Sequence, residues 1–420
     1  MSFHLLEIES GDSLLLLFAL ILLLPIMVLF VECVAALFPH KKIKKNIDKT
    51  RYRPKVTVLV AAHNEEPVIG RTLAAISPQL TDRDKLVVVA DNCNDRTAAI
   101  AKTFEAIVIE RKNLNYQGKG YALDYGLRSI RHDPSDVVII LDADCQIQSN
   151  YIESLAYKVM ISGRPVQPIN LLYRADKTDL KSAISEFAFI VKNLVRPQGL
   201  NRLDLPCMVT MGTAFPWSAI NQISLASDNL VEDMQFGIDL AIAGNPPLFC
   251  SDTKVTGVLP AKDRAATTQR TRWEQGHLST LRTQVPRLVG EAWKQKRLDL
   301  LAIAFDLSVP PLSFLVILWS IVATAAMTTG MLRSEANLAI YGVAIEGIIL
   351  FTAILLAWAK FGREIMPLKS LATIPLYIFW KIPIYCQFLI NPEQKWIRTE
   401  RDSVSANTEG TPVAELAYKK

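Results

Sequence analysis

The chain has 420 residues, half of them hydrophobic, and a formal net charge of +5. Such a length holds one sizeable globular domain together with membrane-embedded helices and does not require two soluble domains. The positive excess is local: the block at 41–55 carries eight lysines and arginines against Asp48 alone, which leaves −2 for the remainder and no clustered basic face of the kind nucleic-acid binding needs.

In chain order, the first element is the uncharged run 13–31, long enough for a hydrocarbon core that takes about 20 apolar residues to cross. Glu7, Glu9 and Asp12 precede it where a cleaved signal peptide would be positive, so residues 1–40 are expected to form a transmembrane anchor. The basic linker at 41–55 belongs on the cytoplasmic side by the positive-inside rule, against anionic lipid headgroups. The domain that follows, at 56–263, is therefore expected in the cytoplasm at the plasma (inner) membrane.

In that domain the apolar runs 56–61, 86–90, 107–109 and 137–141 alternate with helical spacings at 67–76, 95–104 and 119–130. Continuous β-branched runs separated by helices predict an α/β fold with a mostly parallel, doubly wound sheet, whose ligands bind at the carboxyl ends of the strands. Farther on, helices are expected at 179–194 and 232–243 and a strand at 208–215. The segment 264–300 sets Arg264, Arg270, Arg272, Arg282 and Arg287 among Leu278, Leu281 and Val285, a pattern suited to the bilayer surface or to a solvated helix.

Residues 301–391 hold the uncharged run 307–332 and the run 338–359, which contains Glu346; together they read as a transmembrane hairpin, with Lys360, Arg363 and Lys369 back on the cytoplasmic side. The run 371–390 contains Pro375, Lys381 and Pro383, which favours a re-entrant or interfacial segment over a full crossing. Residues 392–420 read as a tail that includes Lys395, Arg398 and Arg401. The six cysteines have no CxxC spacing and stand apart from the five histidines, which predicts a reduced compartment and no zinc site.

The expected strand 137–141 runs into Asp142-Ala143-Asp144, and side chains at i and i+2 of an extended chain face the same way. Two carboxylates so placed suit Mg²⁺ or Mn²⁺ bridging a diphosphate, or else cap the start of a loop. Asp91 ends the neighbouring strand, within reach of a ribose or base, or as a turn residue. His63, Asn64 and Glu65 end the first strand, where Asn64 or Glu65 can also start the next helix. Lys119, between Gly118 and Gly120, opens a helix whose amides can meet phosphate, without the longer glycine-rich loop of a P-loop or dinucleotide fold. Glu232 and Asp233 begin an apolar helix, either as a base for an acceptor hydroxyl or as charges favoured by the helix dipole. Gln269, Arg272 and Trp273 fall at i, i+3 and i+4 on one helical face.

Taken together, Asp91, Asp142/Asp144, Glu232-Asp233 and Gln269 to Trp273 resemble the D, DxD, ED, QxxRW series of family 2 glycosyltransferases. Val58-Leu59-Val60-Ala61-Ala62-His63-Asn64-Glu65-Glu66 and Gly118-Lys119-Gly120-Tyr121-Ala122-Leu123 are also similar to that family, so the likeness runs from about 56 to 273. Within that family it resembles the membrane synthases of cellulose, chitin, hyaluronan and poly-N-acetylglucosamine, although Val231 stands where cellulose synthases commonly have Thr.

The resemblance implies a GT-A fold with transmembrane helices at both ends, a nucleotide-sugar donor carrying UDP, and a divalent cation, Mg²⁺ or Mn²⁺. Asp91 would hold the uridine, Asp142 the nucleotide, and Asp144 with Asp142 the metal, while His63, Glu65 and Lys119 line the donor side. Asp233 would be the general base beside Glu232. Gln269 and Arg272 would close over the diphosphate, with Trp273, Gly212 and Thr213 at the acceptor. The function implied is inverting transfer to a membrane-associated glycan or lipid-linked acceptor in exopolysaccharide or cell-surface glycan synthesis. Alternatives are a polyprenyl-phosphate or ceramide-type lipid glycosyltransferase, and a noncatalytic nucleotide-sugar-binding subunit. Three or four membrane segments are fewer than a single-chain polymer channel usually has, which would leave export to partner subunits.

Overall fold

A computed structural model describes residues 2–39, 53–174, 176, 178–227, 229–260, 263–333 and 338–390. The basic linker up to residue 52 and the tail from 391 lie outside the described residues.

Among the described residues, eight strands form one sheet: β1 (Val56–Ala62), β2 (Lys85–Asp91), β3 (Ile107–Arg111), β4 (Val137–Asp142), β5 (Gln146–Ile147), β6 (Val166–Arg174), β7 (Ala214–Pro216) and β8 (Leu248–Leu259). Their spatial order is β3-β2-β1-β4-β7-β6-β8-β5. The first four are parallel, β7 runs antiparallel to both β4 and β6, β8 is parallel to β6, and β5 is antiparallel to β8. The sheet is thus mostly parallel, with an antiparallel insertion at β7.

Within the parallel half, β1, β2 and β4 are buried on both faces, and β3 is the exposed edge. Val56, Val58 and Val60 pack with Ile69 and Leu73 on one side, while Leu59, Val87 and Val89 pack with Leu123 and Leu127 on the other. That two-residue alternation is the pleat of the strand, and it leaves no polar residue in the middle of β1 or β2 except Thr57, whose hydroxyl is bonded to Ser135 at 2.7 Å.

The strand expected at 208–215 contracts to β7. Val209 is buried by packing against Gly237, where a Cβ would stand 2.8 Å from the valine, and not by a ladder. Gly212, at φ 88°, turns the chain just before the strand begins. In β6, Pro168 cannot donate to a ladder, and the register with β8 shifts at Pro168/Ile169 as a bulge.

Among the described residues, four helices are long and apolar enough to cross a membrane: Ser13–Ala35, Leu312–Leu332, Leu338–Gly362 and Leu368–Ile390. The run expected to span from 307 instead breaks at Val309-Pro310-Pro311, because proline at 310 and 311 cannot continue the helix Leu298–Ser308. The last of the four combines a 3₁₀ turn, Leu368–Thr373, with the helix Ile374–Ile390. Leu22, Ile26 and Leu29 of the first helix pack with Ile184, Phe187, Leu194, Leu315 and Leu350, so the domain and the apolar helices share one core. The amphipathic segment is a 33-residue helix, Asp263–Gln295, with Gln269, Arg270, His277, Leu288 and Ala292 buried against neighbouring helices. It is solvated along one side only.

Candidate functional site

A cavity of about 380 Å³ begins at the carboxyl ends of β1, β2 and β4. Parallel strands in register bring those ends to one edge: Ala61 lies beside Asp142, and Ala62 beside Ala90. His63, Glu65, Asp91, Asp142 and Asp144 therefore line the same space.

Asp91 is buried and paired with Arg111, its register partner on β3, at 2.5 Å. Arg111 also donates to the Tyr116 carbonyl at 2.7 Å, which holds the loop that leads to Gly118. Asn92 donates to the same Asp91 oxygen, Oδ1, at 3.2 Å, and His63 Nδ1 is 2.6 Å from the Asp91 carbonyl oxygen.

Lys119 begins the helix Lys119–Ser129, and its ammonium lies 2.5 Å from Asp142 Oδ1 and 3.6 Å from Glu232 Oε1. Burial alone would lower the pKa of this lysine, but Asp142, Glu232 and Asp233 outweigh it and hold the ammonium above the ordinary lysine value. The helix is seated tightly, since a Cβ on Gly120 would meet the Leu225 carbonyl oxygen at 2.5 Å.

Glu232 and Asp233 open the helix Glu232–Ile242, and Asp233 accepts from the Met234 amide at 2.9 Å. Burial raises both carboxyls above the ordinary range, against the lowering pull of Lys119. Gln269, Arg272 and Trp273 enter from the long helix onto the same cavity. Gln269 Oε1 and Arg272 Nε are buried without a hydrogen-bond partner, polar atoms that call for a ligand. Trp273 packs against Phe189 with ring centroids 5.8 Å apart.

Two expected residues stand elsewhere. Thr213 is buried and bonded to Gln167 and to the Thr210 carbonyl, and the Gly212 carbonyl accepts from Tyr151 at 2.5 Å; Thr210 and Met211 line the cavity in their place.

Asp142 and Asp144 are a hard-oxygen pair suited to Mg²⁺ or Mn²⁺. Among the described residues no group of three or more His, Cys, Asp or Glu could hold a metal by itself. A cation here would take its remaining ligands from a diphosphate, and the donor set fits one.

The model of glycosyltransferase-like family 2 matches residues 54–276, more than half of the chain. The chain belongs to the family 2 glycosyltransferases. This transferase is 35% identical over 132 residues to a Bacillus subtilis protein named probable glycosyltransferase, covering 29% of this chain and 30% of that one. It is 26% identical over 282 residues to a rice protein named probable glucomannan 4-beta-mannosyltransferase, covering 58% and 48%. The stretches shared with these relatives are less than half their length. Among solved structures, the Pyrobaculum calidifontis mannosyltransferase in complex with GDP-Man and Mn²⁺ matches 92% of the transferase and all of its own chain, at 18% identity and a TM-score of 0.53. The shared fold is GT-A-like.

Beyond Asp233 the cavity of the transferase continues toward the apolar helices, lined by Leu29, Phe189, Lys192, His277, Pro310 and Leu312. Burial and the charges of Lys192 and Arg196 push the His277 pKa well below its usual value. Sequence reasoning missed this half. Its signal was faint: His277 continues the face of Gln269 and Trp273 at helical spacing, and Lys192 interrupts an apolar helix between Val191 and Leu194.

Proposed function

We propose that the protein transfers a sugar from a UDP-sugar to a hydroxyl of a membrane-associated or lipid-linked glycan, with inversion at the anomeric carbon. The observation that carries this reading is one cavity that joins Asp91, the Asp142–Lys119–Glu232 ion pairs and Asp233 to the apolar helices. Arg111 and Asn92 both bind Asp91 Oδ1, which leaves Oδ2 to accept from the imide N–H of the base. Asp142 and Asp144 would hold Mg²⁺ or Mn²⁺, which would offset charge on the departing diphosphate. Arg272 donates its unpartnered Nε–H to the phosphates, Gln269 closes over the donor beside it with its unpartnered Oε1 free to accept from a hydroxyl, and Trp273 supports the acceptor sugar.

In the transfer, the acceptor oxygen bonds to the anomeric carbon from the face opposite the nucleotide. The bond from that carbon to the phosphate oxygen breaks, and its electron pair leaves with the nucleoside diphosphate. The acceptor proton passes to Asp233, whose raised pKa suits a base working nearer neutrality. Residues 56–263 are the catalytic domain in this reading, and 264–300 its lid toward the membrane.

The test uses the full-length protein in lipid nanodiscs with a panel of UDP- and GDP-sugars. Metal-dependent release of UDP with a β-linked product by NMR is expected. Retention of the donor's anomeric configuration, or nucleotide-sugar binding without turnover of any donor, would overturn it; the second result would mark a noncatalytic subunit.

A further inference from the structure

Among the described residues, three lysines line the cavity. Lys119 rests on Asp142, and Lys381 on Glu274. Lys192 rests on nothing: among the described residues no carboxylate oxygen lies within 4.0 Å of its ammonium. Its position is built, not incidental, since it lies in a π-helical turn, Val191–Val195, between the helices Leu180–Ile190 and Arg196–Arg202. Such turns insert an extra residue and are frequent at functional sites.

The neighbours of that turn fix its depth. Val191, Leu194 and Val195 pack with Ile26 and Leu29 of the first apolar helix. Arg196, the next residue, is held by Glu32 at 2.6 Å and Asp306 at 2.5 Å, so it is not available to a ligand. Lys192 thus stands between the carboxylates of the transfer site and the helices suited to the membrane. Burial lowers its pKa, with the charge of Asp233 acting the other way. Lys192 is only partly buried and opens onto the cavity without a counter-ion, and a phosphate oxygen there would supply one through a charge-assisted hydrogen bond.

Resting on the transferase reading of the site, we propose that Lys192 binds the phosphate that links the acceptor sugar to a membrane lipid. The sugar hydroxyl then sits at Asp233, and the lipid chain passes Leu29, Phe189, Pro310 and Leu312. An uncharged glycolipid of the ceramide type would leave the ammonium unpaired and is disfavoured.

Full-length protein in nanodiscs, supplied with the nucleotide sugar it turns over, separates the alternatives. Three probes carry the same monosaccharide: on a polyprenyl diphosphate, on an uncharged alkyl chain, and as a lipid-free sugar phosphate. The polyprenyl diphosphate is expected to exceed each of the others at least 100-fold in kcat/KM. Lys192→Gln should raise the KM for it at least tenfold, and Lys192→Arg should recover most of that loss. The inference is overturned if the alkyl glycoside serves as well as the diphosphate, or if the lipid-free phosphate does. It is also overturned if Lys192→Gln weakens nucleotide-sugar binding more than acceptor binding. Failure of the wild-type protein to bind or turn over any nucleotide sugar would instead remove the transferase reading beneath it. The comparison of probes on the wild-type protein does not depend on the variants folding.

Discussion

Asp233 is a carboxylate whose pKa burial has raised, in a position where the proposed chemistry needs it ionised. Two opposite pH dependences follow. For activity, kcat/KM should fall as pH drops through a value above the ordinary aspartate pKa of about 4, giving an acid limb displaced toward neutrality. For stability, the folded state binds a proton more tightly than the unfolded one, so this group's contribution is fully present below the ordinary pKa and is lost as pH rises through the folded one. Thermal unfolding and a pH-rate profile on one sample check both directions, and Asp233→Asn should abolish the acid limb while lowering kcat by about 10² to 10⁴. At this scale the sequence was legible wherever a strand end fixed the side chain: Asp91, Asp142 and Asp144 follow continuous apolar runs. It was only faintly legible at Lys192, because a lysine that interrupts an apolar helix does not by itself reveal that it meets a cavity instead of solvent.

Among the elements, the clearest constraint is Arg196, which joins the first apolar helix through Glu32 to the helix Leu298–Ser308 through Asp306. Arg196→Met would leave two buried carboxylates without their cation, at a cost of about 3–5 kcal/mol. Replacing all three residues by leucine should restore most of the loss, because an apolar triad needs no counter-charge. Melting temperatures of the solubilised protein distinguish these outcomes. A second element-level test is Gly120→Ala, whose methyl would press on the Leu225 carbonyl oxygen; overpacking of this kind costs about 1–3 kcal/mol and should lower the melting temperature. The parallel strands were readable because burial on both faces demands unbroken apolar runs. β6 and β8 were not: Gln167, Pro168 and Asn170 interrupt one, and Asp252, Thr253 and Lys254 the other, and only pairing between them makes a sheet. The proline pair at 310 and 311 also shortened the expected span, which its lack of charge alone did not reveal.

For the whole molecule, the question is which side of the membrane carries the domain. Lys360 donates to the Leu37 carbonyl at 2.7 Å, and Arg202 of the domain donates to the Phe38 carbonyl at 2.9 Å. The carboxyl ends of the candidate spans Ser13–Ala35 and Leu338–Gly362 are thereby fixed at one level, on the domain's side. Lys360 lies at that end, Arg363 and Lys369 follow it in sequence, and the basic block at 41–52 follows the same end of the first helix. Positive charge flanking apolar helices is retained in the cytoplasm, so the domain should face that compartment, where nucleotide sugars are made. Sealed inside-out vesicles should turn over added nucleotide sugar, whereas right-side-out vesicles should do so only after permeabilisation. Equal activity in intact vesicles of both orientations would mean that charge does not set the topology. Activity confined to right-side-out vesicles would place the cavity, and any lipid acceptor entering it, on the opposite leaflet.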